Sequence, residues 1–265
     1  MNKPQISPPP PLTPDDPWRR LGNLTQARIG LGRAGPALPT REVLAFGLAH
    51  AQARDAVHLP LAKDELAQQL RAAGQPVLQV QSRAPDRRSY LQRPDLGRRL
   101  ATESAGLLSL HQSQADLAIV VADGLSALAT QRQAVPLLQH LLPLLDGLRL
   151  APLVIASQSR VALADEAGAL LGARLVLILL GERPGLSSPD SLGAYLTYAP
   201  QVGCLDAARN CVSNIRPEGL PHPAAAHKLA WLIKAALRLK LTGVGLKDES
   251  EVGVLENAGN TTVRS

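Results

Sequence analysis

The sequence predicts an α/β protein: a helical N-terminal domain followed by a Rossmann-like domain built on a parallel sheet. Three observations carry this prediction. Residues 117–121, 153–156 and 175–180 are short runs that are apolar at every position, the pattern of strands buried on both faces of a sheet. Helical patterns separate them, as βαβ units require. Before residue 113, apolar residues recur mainly at three- and four-residue spacing, the period of a helix face.

Taken in order, residues 1–17 form a proline-rich tail, in which prolines remove hydrogen-bond donors and no core can be built. The helical domain occupies residues 18–112. Pro39-Thr40 opens its main helix, where Val43, Leu44, Gly47, Leu48 and Ala51 share a face. Residues 63–73 make a second helix stopped by Gly74, and residues 77–80 alternate like a short strand. Pro94 suits the first turn of a further helix carrying Leu96, Leu100, Leu107 and Leu108. The sheet domain occupies residues 113–250. Ser126 is the N-cap of a helix reaching residue 148, and Gly172 closes another over residues 163–171. Residues 195–199 and 211–215 are candidates for shorter strands. An amphipathic helix covers residues 223–241, and residues 251–265 form a polar tail.

A chain of 265 residues has room for two unequal domains, and 45% hydrophobic with 19% charged residues is an ordinary globular balance. No apolar run reaches the roughly 18–20 residues that span a bilayer, and the N-terminus lacks the layout of a secretion signal. An intracellular protein without a membrane partner is expected. The net charge of +6 raises the question of nucleic acid, but only 2% of residues are aromatic, too few for base-stacking platforms. The arginine cluster Arg83, Arg87, Arg88, Arg93, Arg98 and Arg99 is explained as well by a solvated face or an acidic protein partner, and no nucleic-acid partner is expected. Cys204 and Cys211 fit neither a zinc site nor a disulfide framework, and read as free thiols packed as small hydrophobes.

Gly30-Leu31-Gly32-Arg33-Ala34-Gly35 is formally a G-x-G-x-x-G motif. It neither follows a strand nor opens a helix, so it reads as a glycine-rich loop and not a pyrophosphate cradle. His222 and His227 lack a third partner at ligand spacing, and no metal site is assigned. Asp165-Glu166 lie early in a helix, where the helix dipole is reason enough for them. No catalytic residue is assigned. The informative places are the ends of the apolar strands, since ligands of open parallel sheets bind beyond their carboxyl ends. Residues 175–180 run into Gly181-Glu182-Arg183-Pro184-Gly185, and residues 117–121 into Asp123-Gly124. These loops are expected to be neighbours, with the glycines allowing close approach of a large polar ligand.

At these loops the sequence resembles the small (light) subunit of ethanolamine ammonia-lyase. The matching runs are GRAG, PTREVLAFGLAHAQARDAV, YLQRPDLGRRL, ADLAIVVADGLSA, RVALADEAGALLGARLVLILLGERPGLSSPDSLGAYLTYAP and RNCVSNIRPEG. The resemblance implies a carbon–nitrogen lyase that converts ethanolamine to acetaldehyde and ammonia by radical chemistry started on adenosylcobalamin (coenzyme B12). It implies a large subunit that holds the substrate and a non-catalytic small subunit whose sheet domain is a cobalamin-binding domain covering the cofactor between the two. An assembly of several large/small heterodimers follows. The family's cofactor contacts fall on Val161 in RVALADE, Glu182 in GERPG and Cys211 in NCVSNI. Asp55-Ala56-Val57-His58-Leu59-Pro60 lacks the spacing and glycine of the D-x-H-x-x-G pattern, so the cofactor is expected to keep its own benzimidazole on cobalt. The resemblance implies a cytoplasmic enzyme and leaves open its enclosure in a bacterial microcompartment.

Two alternatives stay open on sequence. One is a self-sufficient nucleotide-dependent enzyme on a Rossmann-like domain. The other is a basic nucleic-acid-binding or scaffold protein using the arginine cluster.

Overall fold

The computed structural model describes residues 16–25 and 27–250. Most of the expected N-terminal tail and the tail over residues 251–265 lie outside them. The chain divides into two compact units: residues up to Ala53 with Gly185–Ser187, and Arg54–Pro184 with the residues from Ser188 onward.

The larger unit is α/β and carries a six-stranded mixed sheet of order β1-β3-β2-β4-β5-β6. Its strands are β1 (Val77–Gln81), β2 (Leu117–Ala122), β3 (Leu153–Ser157), β4 (Leu175–Gly181), β5 (Leu192–Tyr198) and β6 (Arg209–Ile215). β1, β3, β2 and β4 run parallel, whereas β5 is antiparallel to β4 and β6 to β5. The parallel sheet expected from the sequence is thus correct for four strands and wrong for the last pair. Only residues 182–191 join β4 to β5, too few for the crossover helix that a parallel connection needs.

One face of the sheet packs under α2 (Lys63–Ala72), α5 (Ala127–Leu141) and α7 (His222–Leu239). The other packs under α4 (Thr102–Leu110) and α6 (Leu163–Leu170). Alternation along β2 feeds both cores, with Leu117, Ile119 and Val121 on the first face and Ala118, Val120 and Ala122 on the second. β2 and β4 are buried at every position, which is why their sequences read as unbroken apolar runs.

β1 pairs with β3 over five positions, so the short strand expected at residues 77–80 of the mainly helical stretch forms and joins the sheet. The helix expected to start at Pro94 is also different. α3 (Arg87–Gln92) ends before it, capped at its start by the Asp86 side chain, and a 3-10 turn over Leu96–Arg98 leads to α4. The expected long helix from Ser126 stops at Leu141, where a 3-10 turn carrying Pro143 takes over. Ser126 is its N-cap, accepting from Ala129 N–H at 3.2 Å.

The smaller unit holds a 3-10 turn over Pro17–Asn23, the glycine-rich loop and most of α1 (Thr40–His58), inside which the division falls. Gly30 has φ +60°, and a Cβ there would lie 2.5 Å from Arg19 N. This glycine therefore folds the loop onto the 3-10 turn. The Arg28 guanidinium lies 5.0 Å above the Phe46 ring of α1, tying the loop to the helix.

Candidate functional site

The carboxyl ends of β2 and β4 meet, as the sequence led us to expect. Leu125 N–H donates to Gly181 O at 2.9 Å. The glycines permit this closure: a Cβ on Gly181 would lie 1.9 Å from Ser126 O, and one on Gly124 2.2 Å from Gly181 O. Between β2 and β3 the edge is closed too. Asp123, buried, accepts from Gln158 N–H at 2.7 Å and Ser159 N–H at 2.9 Å, holding Gln158 at φ +56°. Burial pushes the Asp123 carboxyl up, against the pull of Ser159 N–H and the Arg87 charge. Arg87 reaches Asp123 at 3.4 Å, Gly124 O at 2.9 Å and Val57 O at 2.7 Å. Tyr90 is fully buried between Arg87 and Arg160, whose guanidinium carbons lie 4.7 and 4.3 Å from its ring centre, and its hydroxyl donates to Ser159 O.

The open surface lies further along the sheet. α4 and α6 pack over β1 to β4 on their face; beyond them Gly193, Thr197 and Arg209 are buried, whereas Tyr195 is half-buried and Cys211 and Ser213 form an exposed shelf. Glu182, just past β4, folds over this shelf. Its Oε2 accepts from the Ser191 hydroxyl and from Asn214 N–H at 3.3 Å. Gly193 has no side chain to obstruct the carboxylate: a Cβ there would lie 3.0 Å from Oε1. Tyr195 and Cys211 are register partners on β5 and β6, and their side chains interact. Burial and the Cys211 sulfur raise the Tyr195 phenol; burial likewise raises the Cys211 thiol, and the Glu182 charge adds to it.

Val161 stands at the near wall of a cavity of about 300 Å³, shared with Arg98, Arg160, Cys204, Asp206 and Arg209. Two ion pairs hold that wall. Arg209 of β6 grips Asp165 of α6 at 2.6 and 2.7 Å, and also donates to Thr197 Oγ1 and Cys204 O. Burial disfavours the Arg209 charge, but Asp165 more than offsets this and raises its pKa. Glu166 takes both prongs of Arg99 and the Leu100 N–H. Burial pushes the Glu166 carboxyl up, yet these donors win and hold it below its ordinary value. Asp165 and Glu166 therefore do more than favour a helix dipole: each carboxylate fastens α6 to a neighbour.

A family model described as ethanolamine ammonia-lyase light chain (EutC) matches residues 15–247. The chain belongs to this family. It is 59% identical over 252 residues to an ethanolamine ammonia-lyase small subunit of Azotobacter vinelandii, covering 93% of each chain. Small subunits of Pseudomonas putida (56% identical, 94% of each chain) and Ralstonia nicotianae (56%, 93% of this chain and 94% of the relative) are similarly close.

In this light-chain family member, Glu182 and Cys211 share the shelf with Tyr195, whereas Val161 lines the cavity beside Arg209, two residues before Cys211 on β6. Sequence reasoning missed Tyr195, although an aromatic in so aromatic-poor a chain was a signal. It also missed the Arg87–Tyr90–Arg160 stack, whose members are far apart in sequence. Both cysteines are free, but Cys211 is exposed and Cys204 only half-buried, so neither is the packed core thiol expected. The arginine cluster is largely engaged within the fold, Arg83 by Leu100 O, Arg93 by Asp95, and Arg87 and Arg99 as described. Among the described residues no three His, Cys, Asp or Glu gather to hold a metal ion, and no helix is long and apolar enough to cross a membrane.

Proposed function

We propose that this chain is the small subunit of an adenosylcobalamin-dependent ethanolamine ammonia-lyase, and that its β5–β6 shelf covers the cofactor against a large subunit. The observation that carries this reading is the exposed patch of β6 at Cys211 and Ser213 on an otherwise covered sheet face, flanked by Glu182 and Tyr195, with Val161 in the cavity at the start of the same strand. A corrinoid is broad, flat and rimmed with amides, and a shelf of strands with one carboxylate suits it better than a closed pocket does. Glu182 Oε1 accepts no hydrogen bond from the described residues and is left for an amide donor. Val161 and Cys211 supply packing and backbone groups at the two sides.

When bound, adenosylcobalamin supplies the radical by homolysis of its cobalt–carbon bond. The residues of this chain bind, orient and exclude water and oxygen, while ethanolamine is held and converted in the large subunit. In this reading the larger unit is a Rossmann-like cobalamin-binding domain, and the cofactor keeps its own benzimidazole on cobalt. The enzyme is an assembly of several large/small heterodimers in the cytoplasm, with or without a microcompartment shell.

Co-expression with the large subunit tests the proposal. The two chains should co-purify, take up cobalamin with its visible spectrum, and release acetaldehyde and ammonia from ethanolamine only together. A large subunit that is fully active and cobalamin-loaded without this chain would overturn it.

A further inference from the structure

The described N-terminal segment, Asp16 to Ala53 (here the arm), has almost no buried side chains. Of its described residues up to Ala53, only Pro39 is buried. Trp18, Leu24, Val43, Leu44, Phe46 and Leu48 are each about half exposed or more, with Leu24 at 83% and Leu44 at 67%. The stripe that the sequence marks on α1 does form one helix face, since Val43, Leu44, Gly47, Leu48 and Ala51 follow helical spacing. Yet these side chains are exposed or half-exposed, and Ala56, near its end, is the one buried residue of α1. A scattered exposed leucine needs no account, but a run of large apolar side chains on one arm marks an interaction surface.

Two features say what covers it. The arm from Asp16 to Ala53 carries five arginines (Arg19, Arg20, Arg28, Arg33 and Arg41) against two acidic residues, Asp16 and Glu42. A second copy would bring like charges together, so the complementary surface is acidic and belongs to a different molecule. Gly47 lies within the apolar stripe, and a Cβ there would meet nothing within 4 Å. Glycine weakens an exposed helix and none of the described residues needs it here, whereas a partner's close approach would.

We infer that this arm is the docking surface for the large subunit, seated in an apolar groove rimmed with carboxylates. The inference rests on the two-subunit reading above. Its test uses the full chain and a Leu44→Glu/Leu48→Glu variant, both measured for binding to the purified large subunit without cofactor. Because both leucines are exposed, far-UV circular dichroism and the unfolding midpoint should stay unchanged. Affinity should fall at least about 100-fold, the scale of losing two buried leucines from an interface. Gly47→Trp should weaken binding similarly.

Equal binding by parent and variants overturns the arm as the dock while leaving the two-subunit reading intact. A parent chain that does not bind the large subunit ends that reading, and this inference with it. A dimer of this chain that the double variant abolishes would give the surface to a second copy. Variant-sensitive binding to phosphatidylglycerol vesicles in place of the large subunit would give it to lipid. Either result overturns the inference.

Discussion

Asp165 and Arg209 form a two-pronged ion pair, at 2.6 and 2.7 Å, with side chains 1% and 3% exposed. It fastens the start of α6, four residues beyond Val161, to the start of β6, two residues before Cys211. Arg209 of this pair also lines the cavity that holds Val161. Arg209→Met leaves a buried carboxylate uncompensated and should destabilise the chain by about 3–5 kcal/mol in urea unfolding. Asp165→Leu with Arg209→Met removes both charges and should recover most of the loss; a double variant as unstable as the single would contradict this account.

Glu166 gives a pH dependence whose sign is fixed. Its folded-state pKa is lowered from 4.5, so its contribution is present above that value and is lost as pH falls through the lower, folded-state value. Unfolding free energy measured from neutral pH to below about pH 4.5 should therefore fall less steeply in Glu166→Gln than in the parent. Asp116, held low chiefly by Arg149, supplies part of the slope that remains.

The paired glycines make a sharp contrast. Gly181→Ala would force a Cβ to 1.9 Å from the Ser126 carbonyl oxygen, with backbone on both sides and no side chain free to yield. It should cost about 3 kcal/mol or more. Gly74→Ala, at φ +79° with nothing within 4 Å, should cost only about 1–2 kcal/mol from conformation. Thermal unfolding of the two variants side by side checks the order.

Glu182→Ala removes the acceptor for Ser191 and Asn214 and should destabilise the chain by about 1–2 kcal/mol. In the reconstituted two-subunit enzyme it should weaken cobalamin binding about tenfold or more, through loss of a charge-assisted contact. Spectroscopic titration measures the second effect independently of activity.

Much of this was legible in the sequence. β2, β3 and β4 announce themselves because burial on both faces leaves no polar position, and Ser126, Gly74 and Gly172 punctuate helices by local backbone chemistry. The antiparallel turn of β5 was not read, because a candidate strand at residues 195–199 left room for a crossover that the earlier start at Leu192 removes. What was not legible depends on partners distant in sequence. Asp165 and Arg209 meet across 44 positions, and Asp123 meets Gln158 across 35. The stripe on α1 was read correctly as a helix face, but periodicity cannot say whether a face is covered by its own chain. In the loops, glycine signalled close approach, and only the fold shows that the approaching group is the protein's own backbone.

The central claim is that the shelf at Glu182, Tyr195 and Cys211 lies against cobalamin. Cys211 is exposed and its thiol is raised above 9.0, by burial of its base and by the Glu182 charge, so it can be alkylated slowly at alkaline pH. The most direct measurement is the rate of Cys211 alkylation in the reconstituted large/small complex, followed by mass spectrometry with and without cobalamin. Cobalamin should slow it about tenfold or more, the effect of covering an exposed thiol. The same rate with and without cobalamin, in a complex shown by its visible spectrum to be loaded, would contradict the account.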